Sequence, residues 1–244
     1  MPLCEAIGIT KRFGGVTALQ EVTLSLEPAT IVALIGPNGS GKTTLFHLLG
    51  GQLRPTIGEI RWRGQEITRW PPHRRCRAGI NRTFQVAQSF PEFSLAENVA
   101  LGLLHGAPKD LSRRRHETHA AARDILAEVG LFAQASQAAR SLSLGELKRL
   151  ELAMALATQP ALILLDELLA GQSPTAAHDL LGVLTRLRAT GLSICLIEHR
   201  LEALLAVADR VVALHEGRVI AEGKPEAVVR SPQVLESYLG GYAS

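Results

Sequence analysis

The chain has 244 residues, 46% hydrophobic and 20% charged, with a formal net charge of +3. It is long enough to bury a full core, as one large domain or one domain carrying an inserted lobe, and its composition excludes a disordered chain. The three cysteines, Cys4, Cys76 and Cys195, are widely spaced and form no C-x-x-C pair, which points to reduced thiols and away from a disulfide framework or cysteine metal site.

No charged region followed by an apolar stretch opens the chain, and no apolar run approaches the ~18 residues that would cross a bilayer. The expectation is a soluble protein whose connection to a membrane, if any, runs through a partner. Two basic clusters, Arg74, Arg75, Arg77 and Arg113, Arg114, Arg115, read as solvated faces rather than as nucleic-acid or lipid surfaces. Internal repeats and low-complexity segments are absent from the sequence.

In chain order, the first 30 residues alternate as half-buried strands do (ALQEVTLSLE). TIVALIG (30–36) is a continuous apolar run leading into PNGSGKTTLFHLLG, whose Leu45, Leu48 and Leu49 fit a helix packed on a sheet. IRWRGQEI (60–67) reads as a short strand with a glycine turn. From about Val86 to Ala157 the pattern is mainly helical, the sign of an inserted lobe. ALILLDE (161–167) and LSICLIEH (192–199) are buried strands separated by a helical run, PTAAHDLLGVLTRLRATG. Apolar strands alternating with helices predict a parallel sheet covered on both faces. RVVALHEGRVIAEG (210–223) predicts a hairpin turning at Glu216-Gly217.

Gly36-Pro37-Asn38-Gly39-Ser40-Gly41-Lys42-Thr43 fits the G-x-x-x-x-G-K-[ST] phosphate loop, in the right context between a strand and a helix. Its glycines let backbone N–H groups wrap a phosphate. Lys42 then reaches the β- and γ-phosphates, and Thr43 offers a hydroxyl to Mg²⁺. Asp166 and Glu167 close the strand ALILL. Beside a phosphate loop, an aspartate at a neighbouring strand tip suits Mg²⁺, and the next carboxylate suits proton abstraction from water. His199 ends the next buried strand, where it could contact a γ-phosphate or be structural. Gln85 is uninformative by itself.

The segment Ser143-Leu144-Gly145-Glu146-Leu147 carries two readings. Ser143 followed by Glu146 ahead of Leu147, Leu150, Met154 and Ala157 is a capping box. A helix N-terminus is also an anion site, through its free N–H groups and dipole.

The phosphate loop at 36–43, glutamine at 85, SLGEL at 143–147, ILLDE at 163–167 and histidine at 199 occur in the order of an ATP-binding cassette (ABC) ATPase. The sequence resembles that family nearly end to end. It is most similar to the ATPases of bacterial branched-chain amino-acid importers, through KRFGG, RTFQ, SFPEFSLAENV, LIEH and the closing EGKPEAVVRSPQVLESYLG.

The resemblance implies the fold class: α/β, a P-loop NTPase, specifically an ABC ATPase with a mainly parallel core sheet, an antiparallel β subdomain and an inserted helical lobe. It implies one domain over 1–244 with the signature lobe at about 86–157. It implies ATP and Mg²⁺ as cofactors. Phe13 would stack on adenine, with Gly36 to Thr43 and Thr44 on the phosphates. Gln85 and Asp166, with Thr43, would hold Mg²⁺; Glu167 would be the general base and His199 the switch histidine. Ser143, Gly145 and Glu146 would cap the γ-phosphate of ATP on a second cassette, so both readings of that segment would hold together.

Implied partners are two transmembrane permease subunits, a second cassette of the same or another chain, and indirectly an extracytoplasmic solute-binding protein, with no nucleic acid. The location would be cytoplasmic, on the inner face of the cell membrane. Phe90 and Phe93, beside Pro91, would border the groove that receives a permease helix.

Leu144, Glu146, Leu168, Gln172, Ser173 and Arg200 depart from the family's common pattern. Other functions with related cassettes are export of the lipopolysaccharide-exporting kind and soluble action on DNA or ribosomes. A small-molecule kinase would explain the phosphate loop alone.

Overall fold

The computed structural model describes residues 1–83, 89–105, 115–198 and 201–239. Strands β1 (Cys4–Phe13), β2 (Val16–Leu26) and β3 (Ile31–Ile35) precede helix α1 (Lys42–Leu49). Strands β4 (Ile57–Trp62) and β5 (Gln65–Glu66), helix α2 (Pro72–Arg77) and strand β6 (Ile80–Arg82) follow. Three helices come next: α3 (Leu95–His105), α4 (Arg115–Glu128) and α5 (Leu144–Leu156). Then come β7 (Leu162–Asp166), α6 (Pro174–Ala189), β8 (Ser193–Ile197) and α7 (Leu201–Val207). The chain closes with β9 (Arg210–His215), β10 (Arg218–Gly223), α8 (Pro225–Val229) and α9 (Pro232–Leu239).

Two sheets organise these elements. A six-stranded sheet has the order β10-β9-β3-β8-β7-β6, parallel except for the β9–β10 hairpin. A four-stranded antiparallel sheet has the order β2-β1-β4-β5.

The central strands are almost unbroken apolar runs, with Asp166 ending β7 and Ser193 opening β8, because both their faces are covered. Alternate residues therefore feed two different clusters. Ile31, Ala33, Ile35, Ile163, Leu165, Ile194 and Leu196 join one shared with α3, α4, α5 and α6. Val32, Leu34, Leu162, Leu164, Cys195 and Ile197 join the other, with α1 and the antiparallel sheet. Each fully buried Ile or Leu contributes about 1.5–3 kcal/mol. The expected parallel sheet and hairpin are present. Among the described residues no helix is long and apolar enough to cross a membrane.

One element was not anticipated from sequence, and one sequence expectation is corrected here. Strand β6 pairs with Leu162–Leu164 at a position that sequence pattern left unassigned. Arg75, read as part of a solvated cluster, is completely buried. Its guanidinium donates to the carbonyls of Leu48 and Leu49 at 2.7 Å each, Ile67 at 2.9 Å, and Trp70 and Thr68 at 3.2 Å. Two of those carbonyls close α1, where a cation complements the helix dipole. Burial lowers the Arg75 pKa to about 10, which leaves it charged at neutral pH.

The hairpin turn has φ of 46° at Glu216 and 75° at Gly217, as a primed turn requires. Gly217 donates to the Ser40 carbonyl at 3.1 Å and accepts from the Gln20 N–H at 2.8 Å. The turn is thereby docked against the segment between β3 and α1.

Candidate functional site

The segment between β3 and α1 owes its shape to glycine. Gly36 has φ +145°, and a Cβ there would sit 2.1 Å from the Leu214 carbonyl oxygen. Gly41 has φ +103° with the Ala18 carbonyl oxygen 2.7 Å from where a Cβ would be, and Gly39 also has positive φ. The chain can turn and press against β2 and β9 only without side chains at Gly36 and Gly41. Gly41 is the N-cap of α1 and supplies no side-chain cap, so the first-turn N–H groups at Lys42, Thr43 and Thr44 have no cap acceptor. Pro37, Asn38, Gly39 and Ser40 line one wall of a cavity of about 920 Å³.

Lys42 is buried, its ammonium donating to the Gly36 carbonyl at 2.7 Å, the Pro37 carbonyl at 2.9 Å and Ser40 Oγ at 3.4 Å. Burial lowers its pKa, opposed by the nearby charges of Asp166 and Glu167. Asp166, the last residue of β7, is buried, and its Oδ2 has no hydrogen-bond partner. Burial raises its pKa; Arg82 lowers it and Glu167 raises it. A buried carboxylate oxygen with no donor suits a cation. The Asp166 N–H donates to Thr83 Oγ1 at 3.3 Å, tying β7 to the segment after β6.

Glu167 follows at φ +50°, a conformation uncommon for a side-chain-bearing residue, and its N–H donates to the Ile197 carbonyl at 3.0 Å. Nearby, buried Glu198 accepts from the Leu169 N–H at 2.7 Å, fixing the loop after Glu167. Sequence reasoning gave Glu198 no role. Its position one residue beyond a buried strand was the only signal.

A second constellation lies at the start of α5. Ser143 Oγ accepts from the Glu146 N–H at 3.4 Å, while Glu146 Oε2 accepts from the Ser143 N–H at 2.9 Å and hydroxyl at 2.7 Å. These bonds hold the Glu146 pKa below its ordinary value. The cap opens on a cavity of about 460 Å³, lined also by Gln134, Arg149, Gly171 and Gln172. Gln172 Nε2 donates to the Gly145 carbonyl at 2.9 Å, and Leu144 packs over Gly171, whose φ is +73°.

Phe13, at the end of β1, is 46% exposed, with the Lys11 ammonium 4.8 Å from its ring centroid. Phe90 and Phe93 are exposed and stacked, their centroids 5.4 Å apart. Buried Asn98 presents them, donating to the carbonyls of Phe90 at 3.1 Å and Phe93 at 3.3 Å and accepting from the Phe90 N–H at 2.7 Å. The structure thus gathers residues 36–44 with Asp166 and Glu167, and separately Ser143, Gly145 and Glu146. Gln85 and His199 lie outside the described residues.

The family described as "ABC transporter" matches residues 19–170. A family described as "Branched-chain amino acid ATP-binding cassette transporter" matches residues 218–244. The high-affinity branched-chain amino acid transport ATP-binding protein BraF of Pseudomonas aeruginosa is 37% identical over 98% of both chains. The crystal structure of an ABC transporter's ATP-binding cassette in its ADP conformation superposes with a TM-score of 0.89 at 33% identity, covering 98% of this chain and 99% of that one. A dimeric, post-hydrolysis cassette bound to ADP and Pi superposes at 0.82 with 25% identity, covering 91% of this chain and 98% of that one.

Proposed function

Because the chain belongs to the family of ABC transporter ATP-binding proteins, we propose that it hydrolyses ATP to drive import of a branched-chain or related amino acid through partner membrane subunits. The observation that carries the catalytic part is the pairing at the phosphate loop. Lys42 sits at the mouth of a loop only glycine can shape, within electrostatic reach of Asp166 and Glu167. The branched-chain substrate class is supported by the BraF relative and by the family match over residues 218–244.

On binding, the triphosphate lies along the N–H groups of Gly39 to Thr44, at the positive end of α1. Lys42 exchanges its Gly36 and Pro37 carbonyls for phosphate oxygens, and Phe13 stacks on the adenine. Asp166 and Thr43 would hold Mg²⁺, with Gln85 as a further group, and the ion would supply positive charge against the phosphates.

Glu167 takes a proton from water as the water oxygen bonds to the γ-phosphorus. The bond from that phosphorus to the β–γ bridging oxygen breaks, and ADP leaves with its electron pair. His199 contacts the γ-phosphate and orients the water. Ser143, Gly145, Glu146 and the first turn of α5 act on the nucleotide of a second cassette, of the same or another chain. ATP therefore favours a closed pair and hydrolysis reopens it.

The stacked Phe90 and Phe93 border the groove for a helix of the membrane subunit, which holds the cassette on the cytoplasmic face of the membrane. A solute-binding protein delivers the amino acid on the opposite side. The test is Glu167→Gln. It should keep ATP binding, lose about 10²- to 10⁴-fold in turnover and accumulate the closed pair. Normal hydrolysis in this variant would remove Glu167 as the base.

A further inference from the structure

The phosphate loop is held from a direction that the catalytic scheme does not use. The N–H of Gly36, its first residue, donates to the hydroxyl of Tyr238 in α9 at 2.9 Å, across 202 residues of sequence. The same residue's carbonyl accepts from Lys42 at 2.7 Å. Gly36 is thus pinned on both sides, one side by the lysine that must move and the other by the C-terminal helix.

The Tyr238 ring is well placed to serve as an anchor. It packs against the hydrophobic cluster that includes Val228 and Val234, and α9 packs on β10 and α8. Around this link, α9 and the loop are separated. Gln233, Glu236 and Ser237 line one side of the cavity of about 920 Å³ whose other side is Pro37 to Ser40. Burial raises the phenol pKa, with the Gly36 N–H opposing, so the hydroxyl stays neutral at physiological pH.

We propose that Tyr238 is a positioning residue for the phosphate loop, through which the C-terminal helix sets the affinity for the nucleotide's phosphates. This rests on the reading of residues 36–44 as the phosphate site. The Tyr238 hydroxyl satisfies a donor at the point where β3 ends and the loop begins. Without it the unliganded loop samples more conformations, and binding must order them.

The test uses the full chain with ADP and Mg²⁺ as the probe, followed by calorimetry. Tyr238→Phe keeps the ring and removes the one oxygen. Its Kd for ADP should rise about three- to tenfold, the range of a single neutral hydrogen bond. Leu235→Ala, at an exposed position of the same helix, is the control and should bind as wild type does. In the assembled transporter Tyr238→Phe should raise KM for ATP with little change in kcat, a split that general loss of folded protein would not produce.

A smaller rise in Kd for Tyr238→Phe overturns the proposal, and so does an equal rise in Leu235→Ala. If the wild-type chain itself fails to bind ADP, the phosphate-site reading falls. If wild type and Tyr238→Phe bind alike, only the Tyr238 role falls.

Discussion

The chain uses the same S-L-x-E pattern twice, in two different surroundings. Ser94-Leu95-Ala96-Glu97 opens α3 and Ser143-Leu144-Gly145-Glu146 opens α5. In each, the serine hydroxyl accepts from the glutamate N–H and the carboxylate accepts from both the serine N–H and hydroxyl. As helix caps they are equivalent. Their surroundings are not: Leu95 is 0% and Ala96 7% exposed, packed into the core, whereas Leu144 is 56% exposed and the second cap opens on a cavity. Cap geometry is local, while the capacity to meet a ligand is decided by what lies in front of the helix.

The largest expected contrast comes from removing the two hydroxyls. Ser94→Ala and Ser143→Ala should each cost about 1 kcal/mol of stability, measured by denaturant unfolding. Only Ser143→Ala should reduce ATP turnover in the assembled transporter, by roughly 10²-fold, the size expected for losing a donor to transition-state charge. Equal turnover in the two variants would make the second cap as structural as the first.

A smaller effect should follow from the carboxylates. Glu146 accepts from the Ser143 hydroxyl and, on the proposed reading, places negative charge where a phosphate would approach. Glutamine can maintain a capping box without that charge. Glu146→Gln should therefore strengthen the ATP-dependent closed pair about fivefold, or ~1 kcal/mol, while Glu97→Gln leaves it unchanged. Size-exclusion chromatography of both variants, each on the Glu167→Gln background to block hydrolysis, reads this directly.

How much could be read from sequence followed the range of the forces involved. The phosphate loop was legible because its conformation is set by glycines within it, at Gly36, Gly39 and Gly41. The buried strands β3, β7 and β8 were legible because each is an almost unbroken apolar run. Strand β6 was not, since Ile80-Asn81-Arg82 becomes a strand only by pairing with residues about 80 positions later. Nothing local distinguishes Arg75 from Arg74, which stacks 3.9 Å from the Trp70 ring, although only Arg75 turns into the core. Tyr238 was equally silent, because its partner lies at the opposite end of the sequence. The two caps show the converse limit: the pattern was read correctly at 143–146, yet the same pattern at 94–97 shows that it could not identify a site alone.

The smallest effect separates Glu146 from its own amide variant by pH. Hydrogen bonds from Ser143 hold the Glu146 carboxyl below its ordinary value, near about 4.3 for an unperturbed glutamate. A carboxyl with a depressed folded pKa contributes stability that is fully present above the unfolded value and is lost as pH falls through the folded one. Glutamine has no such titration. The difference in melting temperature between wild type and Glu146→Gln should stay constant from neutral pH down to about pH 5. Below that it should shift steadily against wild type as the ionised cap is protonated. A difference independent of pH through this range would mean that the charge on Glu146 does not contribute to the cap, and that the two oxygen acceptors alone hold the start of α5.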